Sequence, residues 1–210
     1  GVTNTAGSIT STVSANTTAG FSIVTFTGPG GAGTVGHGLG AVPKMIIVKS
    51  RNHTDDWYVY HQDLGNTKCL LLETTNGQLT TTQWNNTSPT SSVFTYLAGY
   101  DWTYVAYCFA EVAGYSKFGS YTGNSANDGP FVYCGFRPRY IMVKSATENL
   151  GPGSGWHIID TARSPYNAAT ADLFANASYD EATIGTSYPF DLNSNGFKSV
   201  SYTHLTLPTI

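Results

Sequence analysis

The sequence predicts an all-β protein built as two tandem antiparallel β-sandwich units, the second of them truncated. Three observations carry that expectation. Charged residues make up 11 % of the 210, against roughly 25 % in ordinary soluble domains, while Gly, Thr, Ser, Asn and aromatics are abundant, a balance that favours strands and turns. The apolar runs are short: the longest, MIIV at 45 to 48, has the length of a buried strand and falls far below the roughly 18 residues of a membrane span. The chain also repeats itself at a spacing that suits a sandwich-sized domain.

The repeat rests on two motifs in one register. PKMIIVKS at 43 to 50 returns as PRYIMVKS at 138 to 145, and Phe26-Thr27-Gly28 returns as Tyr121-Thr122-Gly123, both 95 positions on. Gly40 and Gly135 keep the same spacing. Trp57 of DWYVYHQDL and Trp156 of GWHIIDTAR stand 99 apart, so four residues are inserted between them, in the Gly/Pro-rich TENLGPGSG, where insertion is tolerated. A period near 95 is too long for a solenoid repeat. The expected organisation is a leading strand and linker over 1–19, a first sandwich over 20–113 and an incomplete second one over 114–199.

Within the first unit FSIVTFT, KMIIVKS, WYVYHQDL, KCLLLETT, a weaker TTTQWNN, SVFTYL and TYVAYCFAEV read as about seven strands, separated by Gly-, Pro- and Asn-rich turns. WYVYHQDL alternates as a half-buried strand does, whereas MIIV and YIMV are continuous and belong to central strands. Trp57 and Trp156 should then occupy equivalent positions. GPGGAGTVGHGLG at 28 to 40 reads as a loop, since neither a helix pattern nor GK[ST] follows to make it a phosphate cradle.

A formal charge of -3 with ten Lys and Arg leaves no basic stripe to neutralise phosphates, which argues against a nucleic-acid partner. No run suits a membrane. The beginning, without Met or a charged leader, reads as the interior of a longer protein. Cys69, Cys108 and Cys134 form no CxxC spacing and lie in apolar runs, so buried free thiols are expected, with no zinc and no cofactor.

His53, Asp55, Asp56, His61 and Asp63 crowd one loop and the strand leaving it. In the repeat His61 aligns with Asp160 and Asp63 with Ala162, so the ligand set does not persist, and a solvated polar loop is the expectation. No GxSxG elbow is present. Glu73, Glu111, Asp101 and Asp128 are too scattered to nominate the carboxylate pair of a glycosidase. No catalytic residue is nominated. Lys49 and Lys144 recur at the ends of the two central strands, where a snorkelling, solubilising role is expected.

Surface aromatics remain as the binding feature. Trp84-Asn85-Asn86 and Tyr100-Asp101-Trp102 fall in predicted turns, where an aromatic face beside Asn or Asp suits stacking on a sugar ring with hydrogen bonds to its hydroxyls. The competing reading has Trp84 and Trp102 capping the core.

The strings GFSIVTFTG, VGHGLGAVPKMIIVKSR, DWYVYHQDLG, TYVAYCFAEV, GYSKFGSYTGN and DGPFVYCGFRPRYIMVK together resemble a repeated domain of tailed-phage structural proteins, common in marine and metagenomic virus sequences. The likeness runs from about Gly1 to Lys198 and brings no established catalytic residues. It implies a virion part, a tail fibre or tail-tip component, with other tail subunits as partners and homo-trimerisation. The chain departs from it before TYVAYC, where AGYDW replaces a turn of small residues. The function expected is a non-enzymatic structural and adhesion module directed at a host-surface glycan. A polysaccharide-degrading tailspike and a bacterial or prophage surface adhesin are the alternatives.

The first unit ends on TYVAYCFAEV, so the second should have a closing strand from about residue 206. VSYTHLTLPTI at 200 to 210 matches no strand of the first unit and resembles the conceptual translation of a transposon-end sequencing adapter. Residues 200–210 are therefore expected to be non-native, poorly packed or filling an open edge by default, and without function.

Overall fold

The computed structural model describes residues 1–124, 126, 128–147, 154–181 and 189–199, with the backbone of 206–209. The described residues form strands and no α-helix, so the fold is all-β. All strand-to-strand ladders are antiparallel. The chain divides into two compact units, Gly1–Leu71 with Gln78–Val112, and Leu72–Gly77 with Ala113–Ile210.

The first unit is one eight-stranded sheet of β1 (Val2–Asn4), β2 (Ser11–Asn16), β3 (Phe21–Gly36), β4 (Pro43–Ser50), β5 (Tyr58–His61), β6 (Lys68–Leu71), β7 (Leu79–Thr80) and β8 (Val93–Ala110). Their order is β1-β2-β3-β8-β4-β5-β6-β7. β3 and β8 make a long ribbon that folds on itself. Phe26 pairs with Tyr104 and Val35 with Phe94. Phe94 and Tyr104 would lie roughly 33 Å apart on a straight strand. Yet the Phe26 ring sits 5.1 Å from Tyr104, 6.1 Å from Phe94 and 6.2 Å from Tyr96. The ribbon doubles over where the register shifts between Thr27 and Pro29. There Asp101 and Trp102 together face Gly28, a β-bulge with Asp101 in the left-handed region at φ 56°. Bulges turn a strand from one layer into another.

Several sequence expectations change here. SVFTYL and TYVAYCFAEV are one strand, and AGYDW is the bulge inside it rather than a turn between two. The glycine-rich segment is not a loop: residues 28–36 are the second half of β3. Its glycines answer close neighbours, since a Cβ on Gly33 would lie 2.5 Å from Ile9 Cδ1 and one on Gly36 would lie 2.1 Å from Asn4 Oδ1. Of TTTQWNN, Thr80 ends the short β7 and the rest leads into a turn. The leading segment contributes two strands, β1 and β2, where one was expected.

β4 lies between β8 and β5, and Met45 through Val48 are buried on both faces, as a continuous apolar run requires. The main core gathers Val24, Phe26, Val48, Tyr60, Phe94, Tyr96 and Tyr104.

The second unit holds two sheets, β12-β11-β10-β15 and β13-β14-β9. The strands are β9 (Phe131–Tyr133), β10 (Tyr140–Ser145), β11 (Trp156–Asp160), β12 (Asp172–Phe174), β13 (Phe190–Asn193), β14 (Gly196–Ser199) and β15 (Thr206–Thr209). Ile141, Val143 and Ile159 of one sheet share a core with Phe190, Leu192 and Phe197 of the other. The repeated hairpin is reproduced in register: Val48 pairs with Tyr58, and Val143 with His157. Trp57 is half-buried whereas Trp156 is buried. The backbone of β15 pairs with β10 on the side that β8 occupies on β4. GYSKFGSYTG, the counterpart of the start of β3, forms no continuous strand. Gly119 stands there in place of the buried Val24, and glycine weakens a strand interior.

Candidate functional site

The β8 bulge presents the most exposed aromatic of the first unit on a rigid mount. Tyr100 is 73 % exposed and lies against Gly30, where a Cβ would fall 3.1 Å from that of Tyr100. Asp101 beside it is exposed. Asn52, on the loop after β4, clamps the bulge: its Oδ1 accepts from the Thr103 N–H at 2.9 Å and its Nδ2 donates to the Asp101 carbonyl at 3.5 Å. The Arg51 N–H donates to the Thr103 carbonyl at 2.7 Å, and the Gly99 N–H to the Tyr104 hydroxyl at 2.9 Å.

Trp102 is the wedge beneath. His53 stacks on it with centroids 4.2 Å apart and planes 9° apart, and His53 Nδ1 donates to Asn52 Oδ1 at 3.0 Å. Gly99 lies against the same indole, since its Cβ would fall 2.8 Å from Cδ2 and 2.9 Å from Cγ. Trp102 therefore packs against the core and supports the bulge, leaving Tyr100 as the ring free to stack. Sequence reasoning missed Asn52 and Gly99, and placed His53 only in a polar loop. The departure of AGYDW from a turn of small residues was their one signal.

Trp84 is corrected as a binding candidate. It is 1 % exposed, packs against Tyr60 and Tyr96 at 5.5 and 5.7 Å, and donates Nε1–H to the Lys68 carbonyl at 3.0 Å. A buried indole offers no face to a sugar, and its polar edge already has its partner. Asn85 and Asn86 are exposed at φ 47° and 50°, in a turn closed by the Thr87 N–H on the Trp84 carbonyl at 3.0 Å. Two consecutive left-handed residues make a type I′ pattern, which explains asparagine at both. The turn hangs from the Leu97 N–H through the Gln83 carbonyl at 2.8 Å, not from the bulge clamp.

The remaining candidates have structural placements. Among the described residues no three His, Cys, Asp or Glu side chains gather to hold a metal. Of the polar cluster, His53 is exposed and His61 buried. Asp101 and Glu111 lie ten positions apart on and just past β8, roughly 33 Å along a strand, far beyond the spacing of a glycosidase pair. Asp128 pairs with Lys198. Cys69, Cys108 and Cys134 are free and buried, and burial pushes their thiols up to about 11, 12 and 11, away from nucleophilic thiolates.

Lys144 does not snorkel. It is fully buried, and its ammonium donates to the carbonyls of Ser154 at 2.6 Å, Ser145 at 2.9 Å and Thr75 at 3.1 Å. Its counterpart Lys49 is half-buried and keeps the bond to the next carbonyl, Ser50, at 3.0 Å. Lys144 thus ties segment 72–77 to β10 within the second unit. In the same unit His157 Nδ1 donates to Asp172 Oδ2 at 2.6 Å, both side chains being buried, and Asp172 Oδ1 accepts from the Ile158 N–H at 3.2 Å. The carboxylate so held joins neighbouring strands β11 and β12.

A family described as a domain of unknown function, DUF7483, matches residues 1–206. No curated protein and no solved structure matches the chain. With that match spanning nearly its whole length, the chain belongs to the DUF7483 family.

Proposed function

We propose that the protein is a non-enzymatic structural and adhesion module of a phage tail fibre or tail tip, acting in the virion and offering the β8 bulge to a host-surface glycan. The observation that carries the binding part is the exposed Tyr100 beside Asp101, on a bulge clamped by Asn52 and wedged by Trp102. An aromatic face with an adjacent carboxylate suits a pyranose, and rigid mounting lowers the entropy lost on binding. Two related sandwich-type units in tandem fit this reading. The folded ribbon of the first, the facing sheets of the second and their shared hairpin register support it. The tail assignment, partnership with other tail subunits and a homo-trimer rest on the resemblance of the sequence motifs.

The test is adsorption of the full chain to host cells and to their extracted lipopolysaccharide. Tyr100→Ala and Asp101→Asn are expected to weaken adsorption about tenfold each without changing the melting temperature. Release of reducing ends from capsule or lipopolysaccharide, abolished by a single carboxylate substitution, would replace this reading with a tailspike depolymerase.

A further inference from the structure

In the three-stranded sheet of the second unit, the outer face of β9 and β14 carries two exposed aromatic rings whose tips reach glycine backbone. Phe197, Leu192 and Val132 turn to the core. The pairings of Gly196 with Tyr133, Lys198 with Phe131 and Asp191 with Lys198 then place these alternating residues on the opposite face. Phe131 and Tyr133 are 48 % and 65 % exposed. Each leans on backbone that lacks a side chain. A Cβ on Gly196 would lie 2.8 Å from Phe131 Cζ, and one on Gly135 would lie 3.6 Å from the Tyr133 hydroxyl. The tips of both rings thus rest near backbone, and their exposure leaves ring surface turned to solvent. Single exposed apolar residues are ordinary, but here two exposed aromatic rings stand two positions apart on one sheet face beside a lysine and an aspartate.

Beside the rings stand groups that donate and accept. Lys198, anchored by its ion pair with Asp128, lies opposite Phe131 on one side and Asp191 on the other. The cation and the carboxylates alternate, so the face carries no field of one sign and selects no highly charged ligand.

We propose that this face binds an uncharged polysaccharide, two successive hexose units stacking on Phe131 and Tyr133 while Lys198 and Asp191 hydrogen-bond their hydroxyls. The aromatic spacing supports a chain over a single sugar: residues i and i+2 of a strand stand roughly 7 Å apart. The site shares its ligand class with the bulge of the first unit but none of its residues.

The test is electrophoresis of the full chain through native gels containing laminarin, dextran, mannan or galactan. Retardation by at least one is expected. Phe131→Ala and Tyr133→Ala should each weaken it about tenfold, Tyr133→Trp should retain it, and all three should keep the wild-type melting temperature. Loss in Tyr100→Ala with full retention in Tyr133→Ala would overturn this inference and leave the bulge reading standing. Absence of retardation by all four polysaccharides would overturn it too, and adsorption to host cells would then judge the bulge alone. Concentration-dependent dimers that vanish in Tyr133→Ala would instead assign the face to a second copy of the chain.

Discussion

A Cβ placed on Gly28 would lie 2.0 Å from the carbonyl oxygen of Gly99 and 2.8 Å from the Cβ of Ala98, so β3 and β8 meet at the bulge with room for hydrogen alone. Gly28→Ala is expected to destabilise the protein by roughly 3 kcal/mol, because the ribbon must open where it doubles over. Gly31, two positions past the bend of β3, has nothing within 4 Å of its Cβ, and Gly31→Ala should change stability by less than about 1 kcal/mol. Urea unfolding of both variants checks the contrast. Equal losses would show that the approach of Gly28 to Gly99 is not what closes the bend.

His61 should make the protein acid-sensitive. Its Nδ1 accepts from the Asp63 N–H at 3.3 Å and its buried Nε2 has no partner among the described residues. Burial pushes the imidazole down to about 4, against the pull of Asp63, whereas an unfolded histidine titrates near 6.5. Between those values the unfolded chain binds a proton that the folded chain refuses, so stability falls as pH drops from 6.5 to 4, by at most about 3 kcal/mol. His61→Leu should lose this slope. A pH series of denaturation midpoints that runs parallel for wild type and variant would exclude His61 as the cause.

Lys144 should act in the alkaline range. Burial pushes its ammonium down to about 8 from 10.5. Between these values the unfolded chain keeps a proton that the folded chain has released, so this residue adds stability as pH rises through the window, by at most about 3 kcal/mol. Lys144→Met lacks that rise. At pH 7 it also leaves three carbonyls without their donor, at a cost of roughly 2 kcal/mol or more. The stability gap between wild type and Lys144→Met should therefore widen from pH 8 to 10.5, and a gap that narrows would contradict the assignment.

Trp84 and Asn85 separate packing from turn chemistry. Trp84→Phe removes the bond to the Lys68 carbonyl and part of a buried ring, and is expected to cost roughly 2 kcal/mol. Asn85→Gly should be nearly neutral at φ 47°, while Asn85→Val should cost about 1 kcal/mol or more, since a β-branched residue resists that region. Thermal unfolding reads all three. None should alter adsorption to glycan if the bulge is the contact.

MIIV and YIMV announced their strands because a strand buried on both faces must be apolar at every position. The hairpin register followed from the recurrence of PKMIIVKS and the paired tryptophans. AGYDW misled for a local reason: Gly99 and Asp101 are turn residues by propensity, and only their ladder with β3 makes them a bulge. The glycines of 28–36 likewise looked like loop, because what requires them, Gly99, Ile9 and Asn4, is remote in sequence. Lys144 was misplaced, and Trp84 stood between a surface and a core reading, since amphipathic side chains reveal burial only through their partners, here the Ser154, Thr75 and Lys68 carbonyls. The rings of Phe131 and Tyr133 went unnoticed, as alternation in FVY says which side they take but not that they stay exposed beside Lys198 and Asp191.

The pairing of β3 with β8 also governs the order of events at synthesis. Gly36 meets Val93 and Phe21 meets Phe109, partners 57 and 88 positions apart, while β4, β5 and β6 join neighbours along the chain. Local hairpins form in microseconds, but pairings that close long loops come later. A ribosome making this chain thus releases β4 to β6 as an early meander, with β3 waiting unpaired on the side that β8 will take. The first unit closes only once Ala110 has left the exit tunnel, and until then the exposed backbones of β3 and β4 are the surfaces a chaperone would shield.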